Sequence, residues 1–300
     1  MSLPVVSEEV RRALDAGRPV VGLESTILTH GLPSPENAAV ARDAERQIRD
    51  AGAVPATIGV VDGVPAVGLS EAQLDALIAD LGAVKASVRD LPIAAAKRLN
   101  AGTTVAATAF LAHRAGIRVF ATGGLGGVHH GASSSFDESA DLVVLASTPL
   151  VVVSAGVKSI LDIAATLERL ETLNIPVLGY RTRRFPGFYV ADSGHPLEHS
   201  VDSPQEVAAA VLARDELGLR SAVLVANPVP EAEQLDPQLH DRALAEAWQQ
   251  ASRLGISGHD ITPFLLDRIR TATRGRSLEV NIAVYRNNIE LATAVAHALR

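Results

Sequence analysis

The sequence predicts a three-layer α/β/α protein with a mixed central sheet, folded as a single domain over residues 1–300. Short β-branched runs of strand length recur along the chain, separated by segments with helix start and stop signals. The dipeptide Asp62-Gly63 lies between two β-branched runs and predicts a two-residue hairpin turn, so at least one strand pair is antiparallel. No low-complexity linker divides the chain and no fixed-period repeat suggests a solenoid.

The elements follow in order. Val20 to Leu23 reads as a strand, and Ser34-Pro35-Glu36 as N-cap, N1 proline and first-turn acid of a helix running to about Ala51. Pro55 to Leu69 reads as the hairpin. Ser70 caps a helix closed by Gly82, a strand spans Val84 to Ser87, and Asp90 caps a helix to about Asn100. The Ala-rich stretch Thr103 to Ala115 predicts a helix ended by Gly116, followed by a strand from Ile117 to Ala121. After a Gly/Ser loop from Gly123 to Ser135 come a short helix Ser139 to Ala146, a strand Leu150 to Val153, a helix Val157 to Leu173 and a strand Pro176 to Tyr180. The chain is irregular from Arg181 to Pro204. A helix then runs to Leu217, a strand covers Ser221 to Ala226, and the remainder from Pro237 is helical in two or three pieces.

Composition narrows the function. Hydrophobic residues make up 47% and charged ones 20%, which excludes extensive disorder. A net charge of −7 without a dense basic tract argues against a nucleic-acid partner. The absence of cysteine excludes disulfides, thiolate metal sites and a cysteine nucleophile, and is compatible with a cytoplasmic location. Met1 to Val10 lacks a signal-peptide core, and the longest apolar stretch, Leu142 to Val157, is interrupted by Ser147, Thr148, Pro149 and Ser154, so no membrane span is expected.

Ligands of α/β sheets bind beyond the carboxyl ends of the strands, which singles out four places. Glu24 directly follows a strand, where partial desolvation would suit a general acid or base; pairing with an arginine or capping a turn is the alternative. Lys158, in Ser154-Ala155-Gly156-Val157-Lys158-Ser159, stands at the expected start of a helix, whose partial positive charge would favour a neutral, nucleophilic amine; a solvated lysine is the alternative. Lys85 lies in a strand of small and apolar neighbours, as a buried cation needing an anion: a substrate phosphate, helped by Thr103 and Thr104, or an internal partner such as Asp90 or Glu24. The glycine-rich loop Thr122 to Gly131 has neither a Rossmann nor a P-loop pattern and reads as a site wall. It leads to Asp137 and Asp141, which could hold a hard divalent cation, with helix capping by Asp137 or Ser139 as the alternative.

Together these segments resemble the pseudouridine-5′-phosphate glycosidase family, also called indigoidine-synthase-A-like. The resemblance runs through Leu23-Glu24-Ser25-Thr26-Ile27, Lys85-Ala86-Ser87-Val88-Arg89-Asp90, Gly102-Thr103-Thr104-Val105-Ala106, Thr122-Gly123-Gly124-Leu125-Gly126-Gly127-Val128-His129, Phe136 to Leu142, Ser154 to Asp162, Gly179 to Thr182 and Asn281-Ile282-Ala283 with Asn287-Asn288, nearly the whole chain in order. It implies reversible cleavage of pseudouridine 5′-phosphate to uracil and ribose 5-phosphate. Lys158 would form an imine with the opened ribose and Glu24 would donate protons. The resemblance further implies substrate contacts at Lys85, Thr104, Val105, Ser139, Ala140 and Asp141, with His129 and Asn281 on phosphate and ribose. It also implies one Mn2+ per subunit on Asp137, replaceable by other divalent cations, and a homotrimer. Tyr285 and Arg286 depart from the aliphatic residues usual in the family, and Arg181-Thr182-Arg183-Arg184 is more basic than typical. The competing readings are a Schiff-base lyase or aldolase acting on another phosphosugar or C-nucleotide, and an inert nucleotide-binding module.

Overall fold

A computed structural model describes residues 4–256 and 261–300. Residues 1–3, part of the segment read as lacking a signal sequence, and 257–260, part of the C-terminal stretch expected to be helical, lie outside the described residues. The strands are β1 (Val5–Val6), β2 (Val20–Leu23), β3 (Val54–Val61), β4 (Val64–Val67), β5 (Val84–Ala86), β6 (Ala101–Thr103), β7 (Val119–Ala121), β8 (Val151–Ser154), β9 (Val177–Tyr180), β10 (His199–Val201) and β11 (Val223–Ala226). The helices are α1 (Glu8–Asp15), α2 (Glu36–Asp50), α3 (Glu71–Ala79), α4 (Leu91–Lys97), α5 (Val105–Ala115), α6 (Ala132–Ser135), α7 (Ala140–Leu145), α8 (Ile163–Thr172), α9 (Pro204–Glu216), α10 (Pro237–Leu254), α11 (Ile261–Ala272) and α12 (Arg276–Ala298).

One sheet runs in the order β1-β4-β3-β2-β7-β8-β11-β9-β10, with β6 also on β3 and β5 on β6. From β3 through β10 every neighbour along this path is parallel. The expected hairpin joins β3 to β4 antiparallel, with Val61 opposite Val64. Asp62 and Gly63 both have positive φ, 50° and 80°, as a primed turn requires. The sheet is mixed, as predicted.

Alternation along the strands generates the three layers. Val119, Ala121, Val151, Val153, Val223 and Val225 face one core with α2, α9 and α12, whereas Phe120, Val152 and Leu224 face the other with α1, α5 and α10. Both faces are thus dry, and central strands read as continuous apolar runs.

Several boundaries differ from those predicted. The α8 helix begins at Ile163 rather than Val157, because Gly156 turns at φ 77° and Val157 bridges Leu125; Asp162 then caps the helix through Ala165 N at 3.0 Å. Residues 101–103 are strand β6, and the helix expected from Thr103 starts at Val105 behind the cap Thr104. α2 begins at Glu36 without a side-chain cap from Ser34. Asp90 stands at the N-cap position of α4, as expected, but its side chain makes no cap bond there; its carboxylate accepts Ser87 N at 2.9 Å and closes a 3-10 turn over Val88–Asp90. The segment read as irregular contains β10, and the Gly/Ser loop contains the short α6.

The order of strands positions the site. From β2 the chain crosses to β3 on one side, and from β7 it crosses to β8 on the other, so β2 and β7 are neighbours that diverge. Such a switch point leaves a crevice at the carboxyl ends of the two strands. Glu24 and Thr122 are the first residues beyond those ends.

Candidate active site

Glu24 is buried, 7% exposed, and the Thr122 hydroxyl donates to its Oε1. Burial pushes its pKa above the ordinary value of 4.5, opposed by the Lys158 cation, the Thr122 hydrogen bond and Lys85, and assisted by the charge of Asp141. A carboxyl so placed keeps its proton to higher pH than a solvated one, which suits a general acid. Beneath it is a knot of buried hydroxyls. Ser25 Oγ donates to Ile58 O at 2.6 Å and accepts Thr103 N at 2.9 Å, while Thr103 Oγ1 also donates to Ile58 O at 2.7 Å. Thr103 is consumed by this knot and is not an anion donor. Thr104 Oγ1 accepts Ala107 N at 3.4 Å as the cap of α5, which leaves its O–H free to donate. The Val105 amide, at the first position of α5, has no acceptor among the described residues and remains available to a ligand.

Lys158 lies in the loop between β8 and α8, half-buried, five residues before the helix. The helix-dipole argument for it therefore fails. Its position comes instead from the glycine-rich loop: Lys158 N donates to Leu125 O at 3.0 Å and Lys158 Nζ to Gly124 O at 3.0 Å. Lys85 is exposed rather than buried, on the short β5, and Asp90 is not its partner. Its pKa is nevertheless lowered by the surrounding protein and by Lys158, against Asp141 and Glu24. Glu24, Lys85, Asp141 and Lys158 thus converge on one crevice, from β2, β5, α7 and the β8–α8 loop.

Asp141 is buried, and both carboxylate oxygens are engaged: Oδ1 accepts Ala106 N and Oδ2 accepts Gly126 N, each at 2.8 Å. Ser139 caps α7 through Asp141 N at 3.2 Å, so the capping alternative holds for Ser139 and not for Asp137. Ala140 is exposed at the first turn of α7. His129 donates its amide to Asp137 O at 3.0 Å, and its imidazole pKa is lowered by desolvation, opposed by Asp137 and reinforced by His130, Lys85 and Lys158. Asn281, on α12, has a buried Oδ1 without a partner, near the Gly123 turn.

Among the described residues no three His, Asp or Glu side chains cluster as metal ligands. The half-buried Asp137 carboxylate accepts no hydrogen bond from described residues, so it fits a hard cation held by one carboxylate and water. The departures at the C-terminus are structural: Tyr285 is buried in the core, and Arg286 pairs with Asp43 of α2 at 2.8 Å. Sequence reasoning met Thr122 only as the start of the loop read as a site wall and Asn288 only within the Asn287-Asn288 motif, and it missed Asn227, whose only signal is its position immediately after β11.

The sequence model described as Indigoidine synthase A like protein matches residues 9–298. The chain belongs to that family. Two curated relatives of this indigoidine synthase A-like chain are the proteins named pseudouridine-5′-phosphate glycosidase of Saccharopolyspora erythraea and of Salinispora tropica. The first is 75% identical over 100% of this chain and 99% of its own length, the second 59% identical over 97% and 90%. Among solved structures, the prealnumycin C-glycosynthase AlnA in complex with ribulose 5-phosphate superposes with a TM-score of 0.92. It is 36% identical over 100% of this chain and 98% of its own. An indigoidine synthase A-like protein of Thermotoga maritima gives a TM-score of 0.88 at 39% identity over 97% and 94%.

Proposed function

We propose that this indigoidine synthase A-like chain cleaves the C–C glycosidic bond of pseudouridine 5′-phosphate reversibly, with water, to uracil and ribose 5-phosphate. The observation that carries the reading is the convergence of Glu24, a buried carboxyl with a raised pKa, and the Lys158 amine on one strand-end crevice. The names of the relatives and the pentose phosphate in the AlnA complex support it.

A C–C glycosidic bond has no leaving heteroatom to protonate, so paired-carboxylate chemistry is poorly suited to it. An amine supplies an electron sink instead. Glu24 gives its proton to the ring oxygen as the C1′–O4′ bond breaks, and the lone pair of Lys158 Nζ forms a bond to C1′. The secondary ammonium so formed returns a proton to the Glu24 carboxylate, which passes it to uracil C5 and disrupts the base, leaving the nitrogen with a lone pair. The nitrogen lone pair then forms a C1′=N iminium as the C1′–C5 pair returns to the uracil ring. Water hydrolyses the iminium, releasing ribose 5-phosphate and the free lysine. Lys85, the Val105 amide and the first turn of α7 would hold the phosphate and hydroxyls, with His129 and Asn281 beside them; the free Val105 amide and the nearness of Lys85 and Lys158 to His129 support this. Asp137 would hold a manganese ion, which would supply Lewis-acid positive charge to the reaction.

Incubation with pseudouridine 5′-phosphate and Mn2+ is expected to release uracil, and borohydride with ribose 5-phosphate to label Lys158. Labelling without uracil release or resynthesis would favour the phosphosugar lyase. Neither outcome would leave only a binding module. The assembly is proposed to be a homotrimer in the cytoplasm; a sedimenting species of one chain would overturn the former. No described helix is long and apolar enough to cross a membrane.

A further inference from the structure

Asn288 is completely buried on α12, yet it is fully satisfied. Its Nδ2 donates to Thr122 O at 2.8 Å and to Gly123 O at 3.3 Å, and its Oδ1 accepts from Asn227 Nδ2 at 3.0 Å. Asn227, itself buried, donates its other Nδ2 hydrogen to Asn287 O at 3.3 Å and its amide to Ser154 O at 2.8 Å. This amide pair ties the ends of β7, β8 and β11 to α12. No apolar residue supplies two donors and an acceptor there, and buried polar atoms are costly unless satisfied.

Both catalytic side chains hang from the peptides so held. The Thr122 hydroxyl donates to Glu24, and Gly124, one peptide beyond Gly123, accepts Lys158 Nζ at 3.0 Å. We propose that Asn288 is a positioning residue: through the carbonyls of Thr122 and Gly123 it sets the geometry in which Thr122 holds Glu24 and Gly124 holds Lys158. Asn227 locks the orientation of the Asn288 amide. The inference rests on the roles of Glu24 and Lys158 proposed above.

The charged and titratable groups facing Glu24 are Lys158, Asp141 from α7, Lys85 from β5 and Tyr285 from α12. Of its contacts, the Thr122 hydrogen bond is the one Asn288 controls, and that bond lowers the pKa of Glu24. Removing Asn288 therefore shifts the titration of Glu24 upward, as removing the Thr122 hydroxyl does.

The test is a double-mutant cycle of Thr122→Val and Asn288→Ala. It is read by infrared titration of the Glu24 carboxyl, assigned with Glu24→Gln, and by the pH profile of kcat/KM. Asn288→Ala is expected to move the carboxyl titration and the alkaline limb upward, in the direction of Thr122→Val, with kcat/KM down about tenfold. The double variant shifts no further than Thr122→Val alone. Asn227→Ala gives a smaller shift of the same sign and decides the matter if Asn288→Ala does not fold. An unchanged Glu24 titration, or shifts that add in the double variant, would overturn the proposal. The infrared readout needs no turnover, so absence of uracil release by the unaltered protein would sink the proposed reaction and leave this test standing.

Discussion

Asp141 reaches across the crevice to the backbone amide of Ala106 at 2.8 Å, so a side chain of α7 caps the first turn of α5. Its other oxygen holds Gly126 N, and the charge thereby sits between two walls of the site. Asp141→Asn keeps one acceptor and turns a donor toward an amide. A loss of about 2 kcal/mol of stability is expected from one charge-assisted bond left unmade in a buried place. Because Asp141 raises the pKa of Glu24 and of Lys85, both fall in the variant. Chemical denaturation and the pH profile of kcat/KM measure the two effects.

Glu24 gives a pH signature in stability. Its folded pKa is raised above 4.5, so between 4.5 and the folded value the native state binds more protons than the unfolded chain. Stability from this group is then full at low pH and is lost as pH rises through that window. Glu24→Gln removes the penalty of a buried carboxylate. The variant should be more stable than the original protein at neutral pH, by a margin that grows upward from pH 4.5 and then levels, while uracil release is lost. Denaturation at a series of pH values checks the sign; a variant less stable at every pH would refute it.

Lys158→Ala is expected to abolish turnover and borohydride labelling together, with the fold preserved, since the side chain is half-buried and its one hydrogen bond among the described residues is to Gly124 O. Circular dichroism and a labelling assay suffice. Normal turnover in this variant would reject an imine on Lys158.

Gly124 is held closely. A Cβ there would lie 2.7 Å from Phe188 Cδ2 and 2.8 Å from Cε2, and the Phe188 ring is buried. Gly124→Ala should cost about 1–3 kcal/mol by overpacking and displace the carbonyl that holds Lys158. Labelling by ribose 5-phosphate should slow about tenfold. Gly218, with φ 71° and open space around its Cβ position, lies behind α9, so Gly218→Ala changes stability alone.

For Asp137, replacement by Asn should weaken activation by Mn2+ at unchanged thermal stability, because its carboxylate accepts no hydrogen bond from described residues. A metal titration of activity in the variant and in the original protein tests this; identical activation curves would place the ion elsewhere.

Much of this was legible in the chain itself. The hairpin at Asp62-Gly63, the capping box of Ser70 and Gln73, and the strand before Glu24 rest on local chemistry, and local chemistry is written in neighbouring residues. Glu24 after a strand, Lys158 at an expected helix start, Lys85 within a strand and Asp141 beyond the glycine-rich loop stand out by position alone. Errors arose where distant contacts override propensity. Residues 157–162 have helical character, but Val157 pairs with Leu125 and the loop stays open. Thr103 looked like a helix start until β6 found β3 and β5.

The sequence by itself determined the longer strands and helices, that the sheet is mixed, and which ionisable groups stand in or beside strands, because those follow from periodicity, turn residues and caps. Only the tertiary structure decided that β2 and β7 lie side by side, that Asp141 is spent on two amides, and that Asn288 holds the Thr122–Gly123 turn. Those relations join residues between 15 and 166 positions apart. They depend on how helices and strands pack, which nearest neighbours along a chain do not encode.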